Sequence, residues 1–325
     1  MRLPLYIIPG LLILLILSTL GFGQTKETVV KATEGYLQGA DRDSIYYRVI
    51  GNGPDSVVVV HGGPGAGMYS ILPDIKPLAE HVTLIFYDQR GGGRSVLPKD
   101  RSKLRPKYFV EDLEAVRRYF KLDKMNIFTH SFGAILAAEY SQQHPKKLKR
   151  IVFHSATGAT RSAAANYYKD RARQDTSSID TTLTNKASHL LQLLLQGTAK
   201  NPRKICRKYE AVTRKIARLR GTSIHYQGTT CQAPSEAVKY YYQITAQLVP
   251  RYFGDWNYIS TVDHISAPVL IIHGKNDPAG VAMQNSWIRT YPNSQLLKVP
   301  NAGKSAISDN PDFVIEALVE FYKGE

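Results

Sequence analysis

Short apolar runs rich in valine and isoleucine recur along the chain and alternate with segments of helical spacing. Four consecutive valines, Val57–Val60, form one such run, and Val269–Ile272 form another near the end of the chain. Runs this short and this apolar are typical of strands buried on both faces, and strands that alternate with helices build a parallel sheet between helical layers. We predict an α/β fold with a mostly parallel sheet. The predicted strands are Ile45–Ile50, Ser56–Val60, Val82–Tyr87, Asn126–Phe128, Ile151–His154 and Val269–His273.

The alternation stops between roughly residues 158 and 257. This stretch is helical in composition, polar and basic, and its strongly apolar patch is Leu190–Leu195. Helical insertions of this kind cover active sites and shape the substrate pocket. We predict a helical cap over residues 158–257, inserted between two parts of the core, residues 24–157 and 258–325.

The first residues have the pattern of a leader. Arg2 precedes the apolar run Leu3–Leu20, and Gly21-Phe22-Gly23 follows before a sharp change to polar residues. This pattern predicts a signal peptide over residues 1–23 and an exported protein, either periplasmic or secreted. The alternative is an uncleaved N-terminal membrane anchor, because the run approaches the length that spans a bilayer.

The chain has two cysteines, Cys206 and Cys231. In an oxidising compartment they can pair, and the alternative of two separate buried thiols stays open because the sequence gives no distance between them. The sequence contains no Cys-x-x-Cys and no tight His/Cys cluster. We therefore expect no metal ion and no cofactor.

The formal net charge is +15, and one basic cluster runs from Arg203 to Arg220 with Glu210 as its single acid. One interpretation is a solvated basic helix face. The other is attraction to acidic substrates or to anionic lipid headgroups, which would bring the basic cap into contact with a membrane surface. We expect a small peptide or small-molecule substrate and no nucleic acid, since no nucleic-acid-binding motif is recognised. The oligomeric state stays open.

Ser131 stands between a predicted strand and a predicted helix, within the segment Met125–Ala134. A serine at the apex of such a sharp turn, with small residues on either side, is typical of a nucleophile elbow. Thr129 replaces the first glycine of the usual Gly-x-Ser-x-Gly. The alternative is an ordinary serine at a helix N-terminus. The apolar strand before it and the long helix after it favour the nucleophile.

A glycine-rich segment, His61-Gly62-Gly63-Pro64-Gly65, follows the predicted strand Ser56–Val60. Glycines allow backbone N–H groups to approach a substrate oxygen closely. We predict that Gly62 and Gly63, with the N–H of Phe132, form an oxyanion hole. The alternative is a glycine-rich turn without a catalytic role.

A third motif, Asp88-Gln89-Arg90-Gly91-Gly92-Gly93-Arg94-Ser95, makes the combination more specific. Together the three motifs resemble the prolyl aminopeptidase (proline iminopeptidase) branch of the α/β-hydrolases, over roughly residues 35–155 and 258–325. The resemblance implies an α/β-hydrolase fold with an inserted helical cap. It also implies a serine hydrolase that cleaves an N-terminal residue, of the proline type, from peptides, or that cleaves a related amide or ester. Asp277 would be the acid of its catalytic triad, orienting a histidine base.

The position that the resemblance assigns to this histidine is occupied by Lys304, in Ala302-Gly303-Lys304-Ser305. A free lysine has a pKa of about 10.4, which is too high for a base that works near neutral pH. We expect a protonated Lys304 paired with Asp277, which leaves Ser131 without a base. The alternatives are a working Ser131–Lys304 dyad and a catalytically weak pseudo-hydrolase that binds a ligand or a partner.

Other histidines lie near the predicted catalytic edge of the sheet. His130 is expected to be structural, because neighbouring side chains at a tight turn point apart. His61 and His273 each end a predicted strand at this edge, but neither occupies the position of the base in the family.

An aminopeptidase binds a free amine, and the relatives do so with carboxylates of the cap. Glu210 and Glu236 are the candidates here, with Tyr241 and Trp256 as apolar walls of the substrate pocket. Helix packing is the alternative role for the tyrosines in this segment.

Overall fold

The computed structural model describes residues 32–174, 181–220, 225–262, 264–277 and 280–324. The predicted leader, residues 1–23, lies outside the described residues. Eight strands form one sheet in the order β1-β2-β4-β3-β5-β6-β7-β8. The strands are β1 (Ala32–Gln38), β2 (Ser44–Ile50), β3 (Ser56–Val60), β4 (Thr83–Tyr87), β5 (Met125–His130), β6 (Leu148–His154), β7 (Val269–Gly274) and β8 (Ser294–Val299).

The sheet is antiparallel only at one side, where β1 pairs with β2 and β2 pairs with β4. The pairs β3–β4, β3–β5, β5–β6, β6–β7 and β7–β8 are parallel. The prediction of a mostly parallel sheet is therefore confirmed. It missed the two edge strands, β1 and β8, because most of their side chains are exposed or half-buried and the segments lack a continuous apolar run.

Helices cover both faces of the sheet. They are α1 (Leu72–Ile75), α2 (Pro106–Tyr119), α3 (Gly133–Gln143), α4 (Arg161–Gln174), α5 (Thr181–Leu195), α6 (Pro202–Leu219), α7 (Ser235–Tyr240), α8 (Ala246–Phe253), α9 (Val281–Thr290), α10 (Ala306–Asp309) and α11 (Pro311–Lys323). Short 3₁₀ turns lie at Ala40–Arg42, Met68–Ser70, Lys76–Glu80, Arg101–Leu104 and Pro145–Lys147, and a π-helical turn lies at Tyr241–Thr245.

The four valines of β3 show how the two helical layers are built. Successive side chains of a strand point to opposite faces. Val58 and Val60 pack with residues of α2 and α3, whereas Val57 and Val59 pack with residues of α1 and α11. Each valine is therefore buried, and β3 lies at the centre of the core.

Helices α4 to α8 lie between β6 and β7, in the stretch predicted as a helical cap. Cys206 of α6 forms a disulfide with Cys231, which precedes α7. Of the two alternatives left open by the sequence, the structure has the disulfide. Among the described residues, no helix combines the length and the apolar character that a membrane crossing requires.

The basic cluster of the cap lies on α6. Its apolar side chains, Cys206, Val212 and Ile216, are buried. The exposed side carries Lys204, Arg207, Lys208, Lys215 and Arg218. We call these five residues the basic stripe.

Candidate functional site

Ser131 occupies the turn between β5 and α3 with a φ of +53°. Its N–H donates to the carbonyl of His154 at 3.1 Å, and its carbonyl accepts from the N–H groups of Ala134 and Thr157 at 3.2 and 3.1 Å. A positive φ is unfavourable for a residue with a Cβ, and such strain persists where surrounding bonds enforce it. This is the backbone geometry that the nucleophile-elbow prediction requires.

Thr129 and Gly133 stand two residues before and two residues after Ser131. Different contacts determine the size of the side chain that each position accepts. A Cβ on Gly133 would lie 2.3 Å from the carbonyl oxygen of Val60, so glycine is required for α3 to approach β3. Thr129 is fully buried, and its hydroxyl donates to the carbonyl of Val152 at 2.9 Å. The larger residue is therefore accommodated between β5 and β6 without an unsatisfied polar group.

The glycine-rich segment packs directly against the nucleophile. A Cβ on Gly62 would lie 3.0 Å from Cβ of Ser131. In the described part of the chain, the N–H groups of Gly63 and Phe132 have no hydrogen-bond acceptor. An oxyanion hole requires unsatisfied backbone donors beside the nucleophile, and Phe132 directly follows Ser131.

Trp256, predicted as a pocket wall, supports Phe132 instead. The indole ring centroid lies 6.1 Å from that of Phe132, and the indole N–H donates to the carbonyl of Gly158 at 3.1 Å. Phe253 packs on Phe132 as well, with ring centroids 5.3 Å apart. These contacts hold the position of the residue that supplies one backbone donor.

Asp88 is bonded to its own motif and to Met68, just after the glycine-rich segment. Its carboxylate accepts from the N–H groups of Met68 and Arg94 at 2.7 and 2.8 Å. Burial raises the pKa of this carboxyl to about 6, while the two N–H donors act in the opposite direction. The Asp-Gln-Arg motif therefore has a structural role, because it fixes its own loop to Met68, three residues after the glycine-rich segment.

His61 is fully buried, and both its ring nitrogens have partners. Nε2 lies 3.0 Å from the N–H of Gln89 and accepts from it, so Nδ1 carries the proton that is donated to the carbonyl of Gly62 at 2.8 Å. Burial lowers the pKa of His61 to about 4. His61 thus cannot take a proton from Ser131.

A cavity of about 170 Å³ opens beside the nucleophile. Its lining residues are His130, Ser131, Ser155, Tyr226, Lys304 and Ser305. The structure therefore brings Ser131 and Lys304 to one cavity, as the resemblance implied for the serine and the base position. Ser155, Tyr226 and Ser305 were not singled out from the sequence.

The expected ion pair between Lys304 and Asp277 is wrong. Among the ion pairs of the described residues, none within 4.0 Å joins these two side chains. The ammonium of Lys304 lies instead over two rings of α4, 5.3 Å from the centroid of Tyr167 and 5.9 Å from that of Tyr168. A cation over an aromatic face is attracted by the ring quadrupole.

Asp277 is buried after the end of β7, where it lies near His273. A Cβ on Gly280 would lie 2.6 Å from Oδ2 of Asp277 and 2.9 Å from Cε1 of His273, so both side chains flank this glycine. Burial lowers the pKa of His273, and the nearby Asp277 acts in the opposite direction. The predicted acid thus lies beside a different histidine, and neither residue lines the cavity at Ser131.

His130, expected to be only structural, forms part of the cavity wall. Its Nδ1 lies 3.1 Å from Nδ1 of His154, and Nε2 of His154 accepts from the N–H of Ile307 at 3.2 Å. Burial lowers the pKa of His154 to about 3. The pKa of His130 is held well below its usual range by burial, and then by His154 and Lys304.

Ser131 has the backbone geometry of a nucleophile elbow. Among the described residues, no side chain forms a hydrogen bond with its Oγ. The neighbouring histidines are neutral and weakly basic, for the reasons given above. The structure thus provides a serine elbow, two unsatisfied N–H donors and a lysine in the cavity wall.

Glu210, predicted to bind a substrate amine, is engaged within the cap. Its carboxylate accepts from Thr229 Oγ1 at 2.6 Å, from the N–H of Thr230 at 2.8 Å and from Thr230 Oγ1 at 3.0 Å. Arg214 lies 3.4 Å from it. These bonds hold the loop that carries Cys231 and favour a structural role for Glu210.

The remaining predicted pocket residues also lie away from the cavity lining. Glu236 is exposed in the first turn of α7. Tyr241 packs on Tyr242 with ring centroids 4.8 Å apart, and its half-buried ring is in line with the alternative of helix packing. Glu236 and Tyr241 are therefore not brought together with Ser131.

Comparisons with known proteins agree with this architecture. The alpha/beta hydrolase fold family matches residues 55–311. A proline iminopeptidase of Saccharolobus solfataricus is 25% identical over 308 residues, which cover 90% of this chain and 93% of that protein. A proline iminopeptidase of Heyndrickxia coagulans is 38% identical over 124 residues, which cover 38% of this chain and only 43% of that protein.

A crystal structure of a proline iminopeptidase from Mycobacterium smegmatis superposes with a TM-score of 0.64 at 19% identity. The superposition covers 89% of this chain and 97% of that one. At this identity the likeness shows the fold alone. With the family match over most of its length, the chain belongs to the alpha/beta hydrolase fold family and is similar to proline iminopeptidases.

Proposed function

We propose that this protein is a serine hydrolase of the prolyl-aminopeptidase type, acting on an N-terminal proline-type residue of a peptide or on a related amide or ester. Ser131 is the nucleophile, and the N–H groups of Gly63 and Phe132 stabilise the oxyanion. The observation that carries the proposal is the strained turn of Ser131, with a φ of +53° and the backbone of Gly62 against its Cβ. The likeness to two proline iminopeptidases supports the substrate class.

Lys304 makes this hydrolase slow. In a serine hydrolase, loss of the base lowers kcat by roughly a millionfold, while the oxyanion hole and substrate binding keep about 10³ to 10⁴ over the reaction in water. Both N–H donors remain in place here, so the residual activity is expected to depend on Ser131 and on these donors.

The test is hydrolysis of a proline arylamide, a leucine arylamide and a short acyl ester by the protein and by its Ser131→Ala variant. We expect slow turnover that prefers the proline arylamide and disappears in the variant. Ser141→Ala, at a buried serine of α3, is the matched control and should keep the turnover. Equal rates in the protein and in Ser131→Ala would contradict the proposal, as would a faster reaction with the leucine arylamide.

A second candidate is a pseudo-hydrolase that binds a ligand and performs little chemistry. It is favoured by the observation that Ser131 Oγ has no hydrogen-bonded base among the described residues. Labelling with a fluorophosphonate separates the two candidates. Covalent labelling at Ser131 on the timescale of its own turnover supports the hydrolase, whereas an unlabelled Ser131 supports the binding protein.

We also propose that the folded part of the chain works outside the cytoplasm and contacts anionic membrane surfaces through the basic stripe. The Cys206–Cys231 disulfide supports an oxidising compartment, since disulfides persist there and are rare in the cytosol. Lysines and arginines near an anionic bilayer each contribute about 1 kcal/mol to binding. Binding to vesicles of stated charge tests the surface contact.

A further inference from the structure

We propose that Tyr226 limits the size of the group that can reach Ser131, and that this cavity admits a small single-ring group but excludes fused-ring groups. This deepens the proposed function by naming the size class of the ligand, and it rests on that proposal only for the choice of Ser131 as the reacting residue. Access to residue 131 can be measured without hydrolysis, so the failure of one proposal is distinguishable from the failure of the other.

Tyr226 is the contribution of the cap to the cavity wall. The other described residues that line the cavity belong to the core, and they are His130, Ser131, Ser155, Lys304 and Ser305. The ring of Tyr226 lies 6.3 Å from that of His130, with an angle of 20° between the two planes. The tyrosine ring therefore stands beside the residue that directly precedes the nucleophile.

The hydroxyl of Tyr226 fixes the far end of this ring. It donates to the carbonyl of Ser70, which is buried in the 3₁₀ turn after the glycine-rich segment. A Cβ on Gly228 would clash with this carbonyl oxygen and with the tyrosine hydroxyl, so the backbone of Gly228 packs directly on the bond. The ring is thus held at its hydroxyl as well as at its backbone.

The segment that carries Tyr226, residues 225–231, is attached to the core. We call this segment the strap. Three of its N–H groups donate to the core at 2.9–3.1 Å, namely those of His225, Gln227 and Thr229 to Asp309, Asp74 and Tyr69, respectively. The acceptors come from three different parts of the core, so the strap is held along its length.

The strap is attached to the cap as well. Its last residue, Cys231, forms the disulfide with Cys206 of α6. The carboxylate of Glu210 accepts two threonine hydroxyls of the strap, and Arg214 donates to the carbonyl of Gly228 at 2.7 Å. Tyr226 therefore leaves its place in the cavity wall only if several of these bonds break.

The volume of the cavity defines the size class. It measures about 170 Å³. An engineered cavity of about 150 Å³ in another protein holds benzene. A group with a single ring therefore fits beside Ser131, whereas a group of several fused rings needs the space that the Tyr226 ring occupies. A steric clash is a general means of rejecting the wrong ligand.

The variant Ser131→Cys measures access to the nucleophile directly, because the two natural cysteines of the chain are joined in the disulfide. Its alkylation is followed with iodoacetamide, N-phenyl iodoacetamide and N-pyrenyl iodoacetamide, which are uncharged and share one reacting group. Each rate is divided by the rate of the same reagent with glutathione. We expect the first two reagents to react and the pyrenyl reagent to be slower by about tenfold or more.

Further substitutions in Ser131→Cys assign this discrimination to the tyrosine ring. Tyr226→Ala should abolish it, and Tyr226→Phe, which keeps the ring, should retain it. Tyr226→Leu keeps part of the packing and should reduce it, which provides a second variant if Tyr226→Ala does not fold. Tyr36→Ala, at an exposed tyrosine of β1, is the matched control and should change nothing. Thermal unfolding shows which variants are folded.

Four results would overturn the proposal. They are a lack of reaction with iodoacetamide, equal relative rates of the phenyl and pyrenyl reagents in Ser131→Cys, unchanged discrimination in folded Tyr226→Ala or Tyr226→Leu, and loss of discrimination in Tyr226→Phe. A protein that does not hydrolyse proline arylamide can still show the size limit at residue 131. A protein that hydrolyses it but admits all three reagents equally would keep the proposed function and lose the size limit.

Discussion

The Nδ1 atoms of His130 and His154 lie 3.1 Å apart at the ends of two neighbouring parallel strands. This contact converts a possible base into a neutral donor, because Nδ1 of His130 must accept the proton of His154. The residue adjacent to the nucleophile therefore cannot replace the missing histidine. The site keeps the backbone geometry of a hydrolase, while the histidine beside the nucleophile is engaged with His154.

The buried state of His154 gives a pH dependence of stability. Its pKa of about 3 lies below the ordinary value of 6.5, so below pH 6.5 the unfolded chain binds a proton that the folded chain does not. The contribution is fully present above pH 6.5 and is lost as the pH falls towards 3, at about 1.4 kcal/mol per pH unit. In His154→Phe, the free energy of unfolding should depend less steeply on pH by about this amount. Urea denaturation at several pH values between these limits measures it, and parallel curves for the two proteins would contradict the assignment.

Replacing Gly133 by alanine tests the close approach of α3 to β3, because the contact and the helix propensity predict opposite changes in the free energy of unfolding. Helix propensity alone predicts that Gly133→Ala stabilises α3 by up to about 1 kcal/mol. The Cβ would lie 2.3 Å from the carbonyl oxygen of Val60, and relieving such a contact requires a backbone shift. We expect a decrease of about 1–3 kcal/mol in the free energy of unfolding, together with lower turnover because the turn that holds Ser131 leads directly into α3. A higher melting temperature in the variant would show that the contact is not real.

The variant Glu210→Gln distinguishes a structural role of this carboxylate from a role in substrate binding, because the first affects stability and the second affects KM. Glu210→Gln weakens the charge-assisted bonds to Thr229 and Thr230, so we expect the free energy of unfolding to fall by about 1–3 kcal/mol while KM for the proline arylamide stays unchanged. Glu236→Gln, at an exposed carboxylate of the same cap, is the matched control and should change stability by less than about 0.5 kcal/mol. A raised KM at unchanged stability in Glu210→Gln would return this residue to the substrate pocket.

The basic stripe predicts binding to charged membranes. Replacing Lys204 and Lys208 by glutamate removes two cations from the exposed side of α6, and should weaken binding to phosphatidylserine vesicles by at least about tenfold. Replacing the exposed Lys99 and Lys124 by glutamate changes the net charge equally and should have a smaller effect. Co-sedimentation measures both. Equal losses in the two variants would mean that only the net charge matters.

The central part of the fold was predictable because its strands are continuous apolar runs. Val57–Val60 is the clearest case, since both faces of β3 are covered by helices. The edge strands β1 and β8 escaped prediction because one side of each is open to solvent. The turn at Ser131 was predictable as well, because a serine between an apolar strand and a helix leaves a local pattern.

The side chains around Ser131 were less predictable because they come together through tertiary contacts. His130 and His154 each end a strand, and parallel strands that end together bring such residues to one edge, so a signal for their pairing was present. Tyr226 comes from a loop of the cap that has no regular pattern. The direction of the Lys304 side chain depends on α4, because its ammonium lies over the rings of Tyr167 and Tyr168.

The most direct test of the account is to replace Lys304 by histidine and to measure kcat/KM for the proline arylamide and the short acyl ester. The serine elbow and both N–H donors are in place while no base contacts Ser131, so Lys304→His should raise kcat/KM by at least about 100-fold, the contribution that a general base makes. Adding Ser131→Ala to this variant should abolish the gain. If the unaltered protein is already fast and Lys304→His is no faster, then Lys304 or another group serves as the base, and the account is contradicted.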